Sequence, residues 1–100
     1  MKIVIEGVRT DKGCSLKVNG VPLKHQVKHS PTGMEWGYGG SGPADTARSI
    51  LMAVVVGKEI DEWMYQTFKW DFVAKWHGNS IKEFIDVDKW LDELSKRNRR

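Results

Sequence analysis

Trp36-Gly37-Tyr38-Gly39-Gly40-Ser41-Gly42-Pro43-Ala44-Asp45 is the stretch on which the reading of this chain turns. Four of the ten glycines in the sequence fall within residues 37–42. Glycine clusters where the backbone needs positive φ or where something approaches the main chain closely. Pro43 stands where a first helical residue would, its φ pre-set and its missing N–H not needed. The segment therefore reads as the end of a strand, a tight turn and a helix start. A helix start behind small residues is also a candidate anion site, so Gly37, Tyr38, Gly39, Gly40, Ser41 and Gly42 are the candidate ligand-binding residues. A purely structural turn and a partner-facing loop are the rival readings.

Outward from this turn, the two sides differ in period. Before it, Lys2–Val8 is rich in β-branched residues and Asp11-Lys12-Gly13 makes a turn. Cys14, Leu16 and Val18 alternate with polar residues, as on a half-buried strand. Asn19-Gly20 between Val18 and Val21 is a strong hairpin signal. Ser30-Pro31-Thr32-Gly33 predicts a further turn into an alternating strand of Met34, Trp36 and Tyr38. After it, Ala47, Ile50, Leu51 and Val54 fall at helical spacing, with Gly57 as a C-terminal cap. A second helix is expected over Glu59–Trp76, acid-rich in its first turn. A short strand, Ser80–Ile85, leads to Asp86 as the N-cap of a last helix with Val87, Trp90, Leu91 and Leu94 inside. Grouped strands followed by helices predict an α+β fold. The expectation is an antiparallel sheet of three to four N-terminal strands, two long helices, a short extra strand and a C-terminal helix.

The 100 residues are 40% apolar and 29% charged, the composition of one folded domain, 1–100. The longest apolar stretch, Ile50 to Val56, is far below the roughly 20 residues that span a bilayer. The short apolar run after Met1 does not read as a signal peptide, and the lone Cys14 has no disulfide partner in the chain. These features point to the cytoplasm and away from membranes. The net charge of +3 is uneven. Basic residues gather in residues 1–34 and in Lys96-Arg97-Asn98-Arg99-Arg100, whereas residues 35–95 are acidic. Arg97, Arg99 and Arg100, with Lys2, Lys17, Lys24 and Lys28, are candidates for weak, salt-sensitive nucleic-acid binding. The alternative is a frayed, solvated tail over residues 96–100.

No catalytic constellation is legible. Residues 37–42 satisfy G-x-G-x-x-G, but no parallel strand with a ribose-binding acid follows, and no Gly-Lys-Ser/Thr completes a P-loop. His25 and His29 lie in a segment bracketed by Pro22 and Pro31, where four-residue spacing does not converge on a metal. Nothing pairs a nucleophile with a base, so an unassigned enzyme trails the other readings, and no cofactor or metal is expected. On the second helix, Tyr65, Phe68, Phe72 and Trp76 share one face and Trp63 and Trp70 the opposite one. Trp63 and Trp70 are therefore the candidate partner-binding residues, for a protein partner or a homodimer. The rival reading is that the last helix covers them.

The run Glu35–Ala47, followed by Ile50-Leu51, resembles a small domain family of unknown function found in bacteria, archaea and phages. The Asn19-Gly20 hairpin, the Ser30-Pro31-Thr32-Gly33 turn and Tyr65-x-x-Phe68-Lys69 share the likeness. The resemblance implies no activity, substrate or cofactor. The phage setting implies an accessory role, including inhibition of host defence. Three readings stand: a protein-interaction module, a small-anion or nucleotide site at the glycine turn, and non-specific nucleic-acid binding.

Overall fold

The hairpin predicted at Asn19-Gly20 forms as expected. Both residues take positive φ, 51° and 80°, the pair of values a type I′ turn requires. Asn19 also ties the turn to the N-terminal strand, its Oδ1 accepting the Val4 N–H at 2.9 Å. The structure, a computed structural model, describes residues 1–97 of the chain. Its elements are β1 (Lys2–Thr10), β2 (Gly13–Val18), β3 (Val21–Pro22), α1 (Ser41–Val54), α2 (Glu62–Asp71), a 3₁₀ turn (Val73–Lys75), β4 (Ser80–Asp86) and α3 (Val87–Ser95). The sheet runs β3-β2-β1-β4, every neighbouring pair antiparallel. The fold is α+β.

Alternation along the strands divides the sheet into two faces. Ile3, Ile5, Leu16, Val18, Ile81 and Ile85 are buried on one, and Lys2, Glu6, Val8, Lys17, Lys82 and Phe84 are exposed on the other. The inner face carries one gap, at Gly7, where an added Cβ would lie 3.0 Å from the Trp36 ring. That gap lets the Trp36 ring, the largest fully buried side chain, lie against the strand. α2 contributes Met64, Tyr65 and Phe68 to the same core. α3 closes it: the Trp90 ring meets Phe68 edge-on at 5.1 Å, and its Nε1 donates to Asp71 at 2.8 Å. The last helix thus covers Phe68 and Phe72 but leaves Trp70 exposed.

Four expectations differ from the structure. Met34, Trp36 and Tyr38 are not on a strand, although Met34 and Trp36 are buried. Their backbone bonds go elsewhere, Glu35 N to Thr46 Oγ1 and Gly37 N to Val73 O. The second helix is shorter than Glu59–Trp76. Asp61 starts it as an N-cap, accepting the Met64 N–H at 2.9 Å, and Phe72 ends it with φ −129°. Pro43 is the third residue of α1 rather than the first, still in the turn where an N–H has no helical acceptor. The strand expected as a minor addition is seven residues long and pairs along β1 from Lys2 to Val8. Among the described residues, no helix is long and apolar enough to cross a membrane.

Candidate binding surface at the glycine turn

The segment before α1 is fixed first by Arg9. From β1, Arg9 donates through Nε and Nη2 to Glu35 Oε1 at 2.9 and 2.7 Å, and through Nη2 to Trp36 O at 2.9 Å. Its Nη1 reaches Gly78 O and Asn79 Oδ1. The guanidinium also stands 4.7 Å over the Trp36 ring. Burial pushes the Glu35 carboxyl up, but the Arg9 bond and the Trp36 N–H outweigh it and hold the carboxyl below its usual range. Burial raises the thiol of neighbouring Cys14, so it is a poor nucleophile at neutral pH. Arg9 is fully engaged, which leaves it no donor for a ligand.

Asp45, inside α1, organises the loop that precedes the turn. Its side chain is wholly buried. Oδ2 accepts from His25 Nε2 at 2.9 Å, Lys28 N at 3.1 Å and Ser30 N at 3.0 Å, and Oδ1 accepts from His29 N at 2.9 Å. Burial pushes this carboxyl up, yet His25 and the three backbone N–H donors hold it below its usual value. Thr46 beside it ties down Glu35, donating to Glu35 O at 2.7 Å and accepting Glu35 N at 2.9 Å. His25 and His29 part company: His29 Nε2 bonds the Tyr65 hydroxyl at 2.7 Å. The helical spacing of Ala47, Ile50, Leu51 and Val54 turns Asp45 away from the apolar face of the helix, yet the structure buries it, because the loop of residues 25–30 folds over that side and supplies its donors.

The glycines themselves divide into two kinds. Gly37 alone of those in the turn has positive φ, +94°, and a Cβ there would meet the Trp76 backbone oxygen at 3.0 Å. The other three are small because side chains of this chain lie on them. An added Cβ would enter the Trp70 ring at Gly39, the Tyr38 ring at Gly40, and reach Glu35 Cβ at 2.8 Å from Gly42. Tyr38 and Trp70 thus lie against consecutive glycines, yet remain 52% and 57% exposed. From α2, Lys69 is only 5% exposed, its Nζ donating to Gly39 O at 3.0 Å and standing 4.4 Å from the Trp70 ring. Among the described residues no acid pairs with it, and burial alone lowers its pKa. Ser41, the first residue of α1, is exposed.

The structure therefore joins Trp70 to the glycine turn, two features that the sequence presented separately. It does not join Trp63 to Trp70. Trp63 is half-buried against the core and lines a groove with Leu91 and Leu94 of α3. Arg97 pairs with Asp71 at 2.8 Å, while Arg99 and Arg100 lie outside the described residues. Lys17 and Lys82 flank Glu6 across the strands, which interrupts the positive charge of the outer sheet face. Among the described residues, no group of three or more His, Cys, Asp and Glu is placed to hold a metal.

Residues 5–93 match the model of a family described as Family of unknown function (DUF6166), and the chain belongs to that family. No curated protein and no solved structure matches it.

Proposed function

We propose that this member of the family is a non-enzymatic protein-interaction module that docks a partner on Tyr38, Lys69 and Trp70. The observation that carries the reading is the pair of half-exposed rings seated on Gly39 and Gly40 beside a buried ammonium group that no acid among the described residues pairs with. Rings held by close backbone contact lose little freedom on binding, which favours aromatic anchors. A buried cation without an acidic partner costs stability, and such groups gather at functional sites. A partner presenting a carboxylate beside an apolar side chain matches this surface.

The test compares the parent chain with Tyr38→Ser/Trp70→Ser as immobilised baits against lysate of the source cells. A partner held by the parent should be lost from the double variant, whose unfolding midpoint should match the parent because both rings are exposed. Identical captured proteins from both baits would sink the proposal.

Lys69→Met separates function from fold. The ammonium is disfavoured in the folded chain, so its folded pKa lies below the unfolded one. The cost is therefore present at neutral pH and disappears as pH rises from the folded pKa to about 10.4. Removing the charge while keeping the stem should leave stability unchanged or raise it by about 1 kcal/mol at pH 7, and should weaken partner binding. Urea denaturation and the same capture read both. A loss of more than about 2 kcal/mol would make Lys69 a structural strut instead.

A second reading has its own observation. α1 begins without a side-chain cap and without an acid in its first turn, and the Lys69 Nζ lies against Gly39 just ahead of it. A carboxylate or phosphate suits such a place. Titration with inorganic phosphate, followed at the Ser41 and Gly42 amides by NMR, tests it. Unmoved amides would exclude a free-anion site.

A further inference from the structure

β4 is an edge strand, and the hydrogen bonds of β1 show which of its groups are open. Val4 O accepts Asn19 N on the β2 side, while Arg9 N donates to Asn79 O on the β4 side. Even residues of β1 therefore face β2 and odd ones face β4. In the register Ile3↔Ile85, Ile5↔Glu83, Gly7↔Ile81, the odd residues of β4 bond to β1. The N–H and C=O groups of Lys82, Phe84 and Asp86 then point away from the sheet. The side chains of Lys82 and Phe84 lie on the face that no helix covers, Phe84 75% exposed with the Lys82 ammonium 5.9 Å from its ring.

Of the symmetric pairings that keep the open backbone groups and the two faces of this edge in step, three overlap at least five of the seven residues of each strand. Centring on Lys82 sets Lys82 against Lys82. Centring on Glu83 sets two half-buried carboxylates against each other on the inner face. Both place like charges directly opposite, which destabilises a sheet. Charges on an edge normally suppress pairing, and here they suppress these two registers. Centring on Phe84 sets ring against ring and Lys82 against Asp86 twice. It also brings Glu83 opposite Ile85, into a groove of about 480 Å³ whose lining includes Lys75 and Lys89.

We infer that β4 pairs antiparallel with β4 of a second copy of this chain, in the register Phe84↔Phe84 with reciprocal Lys82–Asp86 ion pairs, joining two sheets into one. The pairing is isologous, as a two-fold axis through the sheet requires. It uses none of Tyr38, Lys69 and Trp70.

Sedimentation of the full chain should show a reversible monomer–dimer equilibrium. Phe84→Arg and Lys82→Glu should each weaken the dimer at least tenfold without moving the unfolding midpoint measured at a dilution where the parent is monomeric. The register is read by single cysteines on a Cys14→Ser background. Opposed residues of a bonded pair stand within disulfide reach, so Phe84→Cys should cross-link under mild oxidation. Lys82→Cys and Glu83→Cys should not. A chain monomeric up to about 500 μM, where even weak interfaces assemble, overturns the inference, as it also would if β4 served a foreign strand. Cross-linking at position 82 or 83, or a dimer indifferent to Phe84→Arg, overturns it too.

Discussion

Asp45→Ala should remove about 3–5 kcal/mol of stability, the largest single loss expected from a polar side chain in this fold. The carboxylate is wholly buried and accepts from His25, Lys28, His29 and Ser30. Alanine strands these donors, and each buried donor without an acceptor costs about 1–3 kcal/mol. Water entering the loop recovers part of this, which keeps the total below a simple sum. Asp45→Asn keeps one acceptor but turns an NH₂ group towards donors, so it should recover only a fraction. The folded carboxyl is held below its unfolded value. Its contribution is therefore present above the unfolded pKa of about 3.9 and is lost as pH falls through the folded pKa. Urea midpoints between pH 7 and pH 2 should fall steeply with acid in the parent and less steeply in Asp45→Ala. Some acid dependence should survive through Glu35, which is depressed in the same direction. An alanine variant within about 1 kcal/mol of the parent at pH 7 would show that the loop does not need the carboxylate.

What the sequence made legible was local. The Asn19-Gly20 turn needs two positive φ values in a row, and few residue pairs allow that. Asp86 caps α3 through Lys89 N, a bond within one turn of helix. Cys14, Leu16 and Val18 alternate because one face of β2 meets the core. The misreadings fall where a bond joins distant parts of the chain. Met34, Trp36 and Tyr38 alternate in polarity like a strand, but Glu35 and Gly37 bond to Thr46 and Val73 rather than to a neighbouring strand. The long helix expected through Trp76 breaks at Phe72, whose ring packs on Phe68 and Trp90. Nothing within Ser80–Asp86 reveals that it flanks β1 on the side away from β2.

The candidate surface was visible in pieces for the same reason. A glycine cluster announces that room is needed, and its spacing does not say what fills the room. Gly39 leaves it for Trp70 and Gly42 for Glu35, one far along the chain and one nearby. Lys69 belonged to the Tyr65-x-x-Phe68-Lys69 resemblance, with no hint in its neighbours that it lies buried against Gly39. Helical projection placed Trp63 and Trp70 on one face correctly, since seven residues return almost to the same angle. Their surroundings differ because Trp63 lies beside Leu91 and Leu94 of α3, whereas Trp70 lies on Gly39 of the glycine turn.

The glycines offer the sharpest separation of fold from surface. Gly37→Ala should cost about 2–4 kcal/mol, well above the roughly 1 kcal/mol of a compatible exchange. Its φ of +94° is closed to alanine, and the new Cβ would press on the Trp76 backbone oxygen. The backbone cannot rotate out of this, because Gly37 N is bound to Val73 O at 3.0 Å. Rotation would trade the strain for a lost bond where the 3₁₀ turn begins. Gly39→Ala meets a different obstacle, the far end of the exposed Trp70 side chain. That ring can swing outward, so the stability change should stay within about 1 kcal/mol. The cost appears in the surface instead. Trp70 leaves its seat beside Lys69, its indole N–H resonance should shift, and partner capture should weaken as it does for Trp70→Ser. Thermal unfolding of the two variants beside the capture assay distinguishes them. Equal destabilisation by both would mean that Trp70 is held as firmly as the backbone, which would make the ring part of the fold rather than a seat for a partner.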